Sequence, residues 1–189
     1  VNTNGVISFL INVNQFTPER FPLGDGRRLV APFWGDADTR TTGKVFYRET
    51  SDRNLLIKAA TDITSIYVEC KAFRPAWLMI ATWYEVPFYG ARGNYTDRYN
   101  TFQAVLVTNG IHSFVLFNYN ELTWTTGTAS QGNSSGLGGI PAQAGYNAGD
   151  GLRFFNIPGS GTHEVLELPY TSNIERPGRW MYRVDSKPG

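Results

Sequence analysis

The sequence predicts a mainly β fold, a β-sandwich or partly closed barrel of antiparallel strands with one packed α-helix at about residues 52–68. Short β-rich runs alternate with turn signals along the chain, and only one segment has helical periodicity. Of the 189 residues, 41% are hydrophobic and 14% aromatic, enough to fill a sizeable core. We therefore expect one domain spanning residues 1–189.

The clearest strand pair is a hairpin within Thr101–Thr128, where Asn109–Gly110 separates two apolar runs. Asn and Gly tolerate the positive φ angles of a type I′ turn, so we expect a two-residue loop that places Val107 opposite His112. In this register both faces of the hairpin are mostly apolar, whereas a hairpin with one solvated face alternates apolar and polar residues. The hairpin is therefore predicted to be central and covered on both sides.

The remaining elements follow from the positions of turn residues and from periodicity. Apolar runs bounded by Gly, Pro or Asn predict strands at Val6–Ile11, Leu29–Trp34, Lys44–Arg48, Ala76–Val86, Ile140–Tyr146, Leu152–Phe155, Glu164–Leu168 and Arg179–Val184. Pro32 cannot donate a ladder hydrogen bond, so its strand is expected at an edge or at a bulge. In the predicted helix, apolar residues recur at spacings of three and four from Leu55 to Tyr67, with Ser51 as the expected N-cap.

The beginning of the chain predicts a missing partner strand. Asn4–Gly5 is an Asn-Gly turn with no strand before it. We therefore expect that the domain has a further segment upstream of Val1.

Charge and hydropathy argue against two classes of partner. Seventeen basic and sixteen acidic side chains give a net charge of +1, which does not suit a general surface for nucleic acid or anionic lipid. No apolar run is long enough to span a bilayer, so we expect no membrane insertion by this segment.

Cys70 is the only cysteine, so it cannot form a disulfide within this chain. One interpretation is a buried, apolar free thiol next to Tyr67 and Phe73. The other is an external disulfide to a segment or chain outside this sequence.

Two tripeptides match the acceptor rule for N-linked glycosylation. Asn94-Tyr95-Thr96 and Asn133-Ser134-Ser135 both fall in polar loops between predicted strands, where a glycan can extend into solvent. The sequence therefore predicts glycosylation at Asn94 and Asn133.

The carboxylates Asp36 and Asp38 follow a predicted strand end and leave three interpretations open. They can form an Asp turn, in which the side chains bond their own backbone. They can bind Ca²⁺, which takes six to eight oxygen ligands. With Glu85 they can also supply the carboxylate pair of a hydrolase, provided that the fold brings the groups together. The Asp turn is the expected structure, and no cofactor is expected.

Aromatic side chains offer one further candidate site. Tryptophan and tyrosine can stack on sugars, and Trp124 and Tyr146 are the candidates for ligand stacking. The sequence shows neither a nucleophile elbow nor a phosphate loop. Trp124 belongs to the polar and aromatic stretch Asn118–Thr128, which we expect to buttress the loops at one end of the sandwich.

An ordered series of motifs adds a family resemblance. The motifs are VNTNGVISF (1–9), FTPERFP (16–22), VAPFWGDAD (30–38), VFYRE (45–49), AWLMIATWYEV (76–86), NTFQAVLV (100–107), FNY (117–119), WTTGT (124–128), GLGG (136–139), AQAGY (142–146) and PGRW (177–180). Together they resemble the nidogen-type extracellular module, the NIDO domain, over nearly the whole chain. Cys70 lies outside these motifs.

The resemblance implies a non-enzymatic module of a secreted or cell-surface protein of the extracellular matrix. Its implied partners are matrix or cell-surface proteins, or a second copy of itself, and its implied role is adhesion or matrix assembly. It carries no catalytic residues to this chain. The alternative function is a lectin-like, carbohydrate-binding β-sandwich assisted by Ca²⁺ at Asp36 and Asp38.

Overall fold

The computed structural model describes residues 1–188 and shows two antiparallel β-sheets with one α-helix; Gly189 lies outside the described residues. The elements in chain order are β1 (Ile7–Phe9), β2 (Arg28–Trp34), β3 (Lys44–Thr50), α1 (Arg53–Ile66), β4 (Trp77–Pro87), β5 (Tyr99–Thr108), β6 (Ser113–Glu121), β7 (Gln143–Asn147), β8 (Phe154–Asn156) and β9 (Arg179–Arg183). The four-stranded sheet has the order β1-β2-β7-β8, and the five-stranded sheet has the order β3-β4-β5-β6-β9. The two sheets are separate, so the fold is a sandwich rather than a barrel.

Three apolar clusters explain why so many strands are apolar on both faces. The largest cluster lies between the sheets and includes Phe33, Trp83 and Phe117. A second lies between α1 and the outer face of the five-stranded sheet. A third covers the outer face of the four-stranded sheet, where the loop between β1 and β2 packs Val13 and Phe21 against it. Both sheets are therefore covered on their two faces, which removes the usual alternation of apolar and polar residues.

The β5–β6 hairpin is central, as predicted. The predicted register, however, differs from the observed one by two residues. Val107 pairs with Phe114 rather than with His112. The connection has four residues because Asn109 uses its side chain to close the loop, accepting hydrogen bonds from Ile111 N at 2.9 Å and His112 N at 2.8 Å. A shift of two residues keeps every side chain on its predicted face, since the side-chain period of a strand is two.

The structure also decides one open prediction and corrects another. The strand that contains Pro32 is internal, and the register of β2 against β7 shifts between Ala31 and Trp34, which confirms the bulge and excludes the edge. The strand predicted at Glu164–Leu168 is wrong, because His163–Glu167 forms a 3₁₀ helix that begins at a hydrogen bond from Glu164 N to the Thr162 hydroxyl.

The helix α1 is capped by Asp52 and not by the predicted Ser51. The Asp52 carboxylate accepts a hydrogen bond from Leu55 N at 3.0 Å. Ala59 and Ile63 are buried against the five-stranded sheet. None of the helices within residues 1–188 combines the length and the apolar character that a membrane crossing requires.

The outer edge of β9 is closed by side chains from other segments. Asn173 donates to the Met181 carbonyl at 2.7 Å and accepts from Met181 N at 2.9 Å. The Ser172 hydroxyl donates to the Arg179 carbonyl, and Arg183 N donates to the Tyr67 hydroxyl. These contacts satisfy backbone groups that an additional strand would otherwise pair with.

The N-cap assignment predicts different effects of two neighbouring substitutions. Asp52→Ala removes an acceptor for a helix N-terminal N–H, so we expect it to lower the free energy of unfolding by about 1 kcal/mol. Ser51→Ala is the matched control and is expected to change stability by a few tenths of a kcal/mol at most. Urea denaturation of both variants measures the difference, and equal losses would contradict the assignment of Asp52 as the cap.

Candidate functional site

Three loops meet at one end of the sandwich, and together they form what we call the loop end: residues 35–43, 87–98 and 124–139. Tyr89 N donates to the Asp36 carbonyl at 2.8 Å, and Thr128 N donates to the Tyr89 carbonyl at 2.9 Å. The Arg98 guanidinium donates to the Ser135 carbonyl at 3.1 Å. The backbone hydrogen bonds thus connect all three loops, and the Arg98 contact brings together the two loops that carry the glycosylation tripeptides.

Trp124 and Asn100 hold the loop end on the core. The Asn100 side chain is fully buried; it donates to the Trp124 carbonyl at 3.0 Å and accepts from Thr123 N at 2.7 Å. The Trp124 indole is also fully buried and donates to the Val86 carbonyl at 2.9 Å. The segment buttresses the loops, as expected, and Trp124 presents no ring face on which a ligand can stack.

Asp36 is buried beneath the loop that contains Gly127. Its side chain is 6% exposed, and its Oδ2 has no hydrogen-bond partner among the described residues. A Cβ atom on Gly127 would lie 2.8 Å from this oxygen, so only glycine fits at that position. Burial, together with the nearby charge of Asp38, raises the pKa of Asp36 to about 6.

Asp38 has a different environment although it is only two residues away. Its carboxylate forms a bidentate pair with Arg40, with distances of 2.9 and 2.7 Å. The hydrogen bond from Arg40 holds the pKa of Asp38 below its ordinary value. Asp38 also accepts from Arg40 N, which is the backbone bond expected of an Asp turn.

The aspartates do not belong to a cluster of metal-ligating side chains in the described part of the chain. Residues 1–188 contain no cluster of three His, Cys, Asp or Glu side chains suited to a metal ion. Glu85 lies exposed at the irregularity between Trp83 and Val86, with a φ of 48°, whereas Asp36 is buried.

The other two candidate residues, Tyr146 and Cys70, are also buried. Tyr146 is 3% exposed in the core between the sheets, so most of its ring is unavailable for stacking. Cys70 is 8% exposed and packs with Phe73 in the cluster beneath α1. Its burial limits access to the sulfur, and the choice between a free thiol and an external disulfide stays a prediction.

The loop end contains a polar cleft of about 400 Å³ that the sequence analysis did not identify. Its walls include Arg40, Tyr89 and Arg92, and the Arg40 guanidinium lies 5.7 Å from the centre of the Tyr89 ring. Exposed Tyr and Arg side chains are enriched at protein interfaces. No sequence motif marks these residues, because they come from two separate loops that only the fold brings together.

These features define an antiparallel β-sandwich module whose three loops at one end are connected by hydrogen bonds. The family model for the nidogen-like domain, NIDO, matches residues 1–186. The chain belongs to this family.

Individual relatives agree with this assignment. The chain is 50% identical to alpha-tectorin of Mus musculus over 188 residues, which cover 99% of this chain and 9% of the relative. It is 31% identical to nidogen of Drosophila melanogaster, covering 97% of this chain and 13% of the relative, and 29% identical to nidogen-1 of Mus musculus, covering 98% and 15%. The chain thus spans about a tenth of the length of these curated relatives. No solved structure matches it.

The environment of Asp36 predicts a specific pH dependence of stability. The carboxyl has a pKa of about 6 in the folded state and an ordinary value of 3.8. The folded state therefore binds more protons between these values, and its stability falls as the pH rises through this window.

Substituting Asp36 should remove this dependence. Asp36→Asn cannot ionise, so its stability relative to the natural chain should rise from near zero at pH 4 to about 2 kcal/mol at pH 7. Thermal and urea unfolding at both pH values measure this change. Asp38→Asn is the control and should act in the opposite direction, because it removes a carboxylate that Arg40 stabilises. A constant difference across this pH range would contradict the assigned environment of Asp36.

Proposed function

We propose that the chain is a non-enzymatic extracellular module of a larger protein, where it mediates protein–protein contacts in cell–matrix adhesion or matrix assembly. The observation that carries this proposal is membership of the nidogen-like family along 186 residues, together with the 50% identity to alpha-tectorin.

The loop end is the surface that we propose for partner contacts. Its backbone is held by inter-loop hydrogen bonds and by the buried Asn100, so little conformational freedom would be lost on binding. Arg92 has no salt-bridge partner among the described residues and offers a cation beside the Tyr89 ring, whereas Arg40 is already paired with Asp38. This chemistry suits an acidic protein surface. A calcium ion at Asp38 remains a minor proposal, and the pairing of Asp38 with Arg40 would compete with it.

A panel of purified matrix proteins, measured by surface plasmon resonance, tests the proposed function. We expect at least one to bind, and Arg92→Glu in the loop-end cleft should weaken that binding at least tenfold, because it places a like charge opposite an acidic partner. Arg53→Glu on α1 is the matched control, since Arg53 is also exposed, and it should leave the affinity unchanged.

Two results would overturn parts of the proposal. If no matrix protein binds while a glycan array gives specific binding, the carbohydrate-binding alternative replaces it. If Arg92→Glu and Arg53→Glu weaken binding equally, the loop end is not the contact surface. A calorimetric titration with Ca²⁺ alone tests the metal, and absence of heat excludes it.

We also propose that Asn94 and Asn133 carry N-linked glycans. Asn94 is exposed, and its side chain makes no hydrogen bond within the described residues, whereas the exposed Asn133 accepts from Ser135 N at 2.9 Å and from Leu137 N at 3.1 Å. After expression in a secretory cell, glycosidase treatment should shift the mass at both sites. Asn94→Gln should remove one glycan without loss of stability, whereas Asn133→Gln should also destabilise its loop. No mass shift at either site would contradict this proposal.

A further inference from the structure

The five-stranded sheet has one closed edge and one open edge. Side chains of Ser172, Asn173 and Tyr67 bond the outer backbone groups of β9. At the other edge, the backbone of β3 makes no hydrogen bond to any described residue outside its pairing with β4. An unpaired edge of seven residues is a template for another strand.

Exposed aromatic side chains project from both faces of β3. Phe46 is 54% exposed and Tyr47 is 67% exposed, on opposite faces of the strand. Natural edge strands are commonly protected by proline, by a bulge or by charged side chains. The charges of β3 are Lys44, Arg48 and Glu49, so pairing with a second strand requires a register that does not oppose like charges. The segment from Lys44 to Thr50 contains no proline, and its pairing with β4 runs without a register shift.

Charge and the number of paired residues together select one register for antiparallel pairing of β3 with its own copy. Side chains directly opposite each other lie on the same face, and successive residues alternate between faces. A symmetric pair must therefore be centred on a single residue. A pair centred on Phe46 places Lys44 of one copy opposite Arg48 of the other. A pair centred on Arg48 places the Arg48 side chains of the two copies opposite each other. Both registers therefore oppose like charges.

Centring on Tyr47 avoids every like-charge pair and uses all seven residues of the strand. In this register the two Tyr47 side chains are opposite each other. Phe46 is opposite Arg48 of the second copy, where a guanidinium can lie over the ring. Val45 is opposite Glu49, and Lys44 is opposite Thr50.

We propose that β3 pairs with β3 of a second copy of this chain, antiparallel and centred on Tyr47, so that two five-stranded sheets become continuous. The inference rests on the proposed function as a module for protein–protein contact, and it names one partner and one surface for that contact. It does not involve the loop end.

A charge-swap experiment tests the proposal. Analytical ultracentrifugation over a range of concentrations should show the natural chain in a monomer–dimer equilibrium. Tyr47→Lys and Tyr47→Glu each place like charges directly opposite one another, and each should weaken the dimer at least tenfold. An equimolar mixture of the two variants should recover dimerisation, because Lys then lies opposite Glu.

Tyr170→Lys is the matched control. Tyr170 is 71% exposed, close to the exposure of Tyr47, and lies in the segment that leads to the closed β9 edge. It should leave the dimer unchanged. Circular dichroism should show that all three variants remain folded, since each substituted side chain is exposed.

Three outcomes would overturn the proposal: a natural chain that stays monomeric, equal loss of the dimer in Tyr170→Lys, or a mixture of the Tyr47 variants that does not recover. Testing the monomeric Tyr47→Lys variant on the matrix-protein panel separates the two proposals. A monomeric natural chain that still binds a matrix protein overturns the β3 pairing alone. A dimer that binds no matrix protein overturns the proposed function alone.

Discussion

The structure depends on an aromatic contact that crosses from one sheet to the other. Trp83 and Phe102 of the five-stranded sheet stack at 5.1 Å, and Phe102 meets Phe33 of the four-stranded sheet at 5.4 Å. Phe33 in turn meets the edge of Trp124 at 5.2 Å. Each of these rings removes a large apolar area from water, and their geometry fixes how the sheets face each other.

Burying so many indoles requires a partner for each polar N–H group. The buried indoles donate to backbone carbonyls, in the pairs Trp34–Gln15, Trp83–Asn2, Trp124–Val86 and Trp180–Leu168. Each bond attaches a loop or a chain segment to the core. The loop end is one product of this constraint: Trp124 belongs both to the aromatic contact and to the loops, so the cleft around Tyr89 and Arg92 rests on a rigid base.

The elements that the sequence predicts well are those with a local physical cause. The periodicity of α1 and the central position of the β5–β6 hairpin follow from residue patterns. The predicted register of the hairpin is wrong because the side chain of Asn109 closes a four-residue loop in place of the expected two-residue turn. The helix cap was misassigned because Ser51 and Asp52 are both good caps, and only the backbone geometry distinguishes them.

The candidate site was much less predictable. Asp36 and Asp38 are neighbours in sequence, yet burial beneath Gly127 and pairing with Arg40 give their carboxyl groups opposite pKa shifts. The cleft residues come from separate loops, so no local pattern identifies them. The family motifs were informative because they sample the whole chain, and much of what they mark is core: Trp124 and Tyr146 are both buried.

The contacts of Asn173 and Ser172 along β9 have a consequence for the stoichiometry of any assembly made by strand addition. A sheet with two open edges can pair with a further molecule at each edge and so propagate into a fibre. A sheet with one open edge can pair with only one other molecule. Once two such edges meet about a two-fold axis, both ends of the joined sheet are terminated by amide and hydroxyl side chains. The polar residues beside β9 would therefore limit pairing through the five-stranded sheet to two molecules.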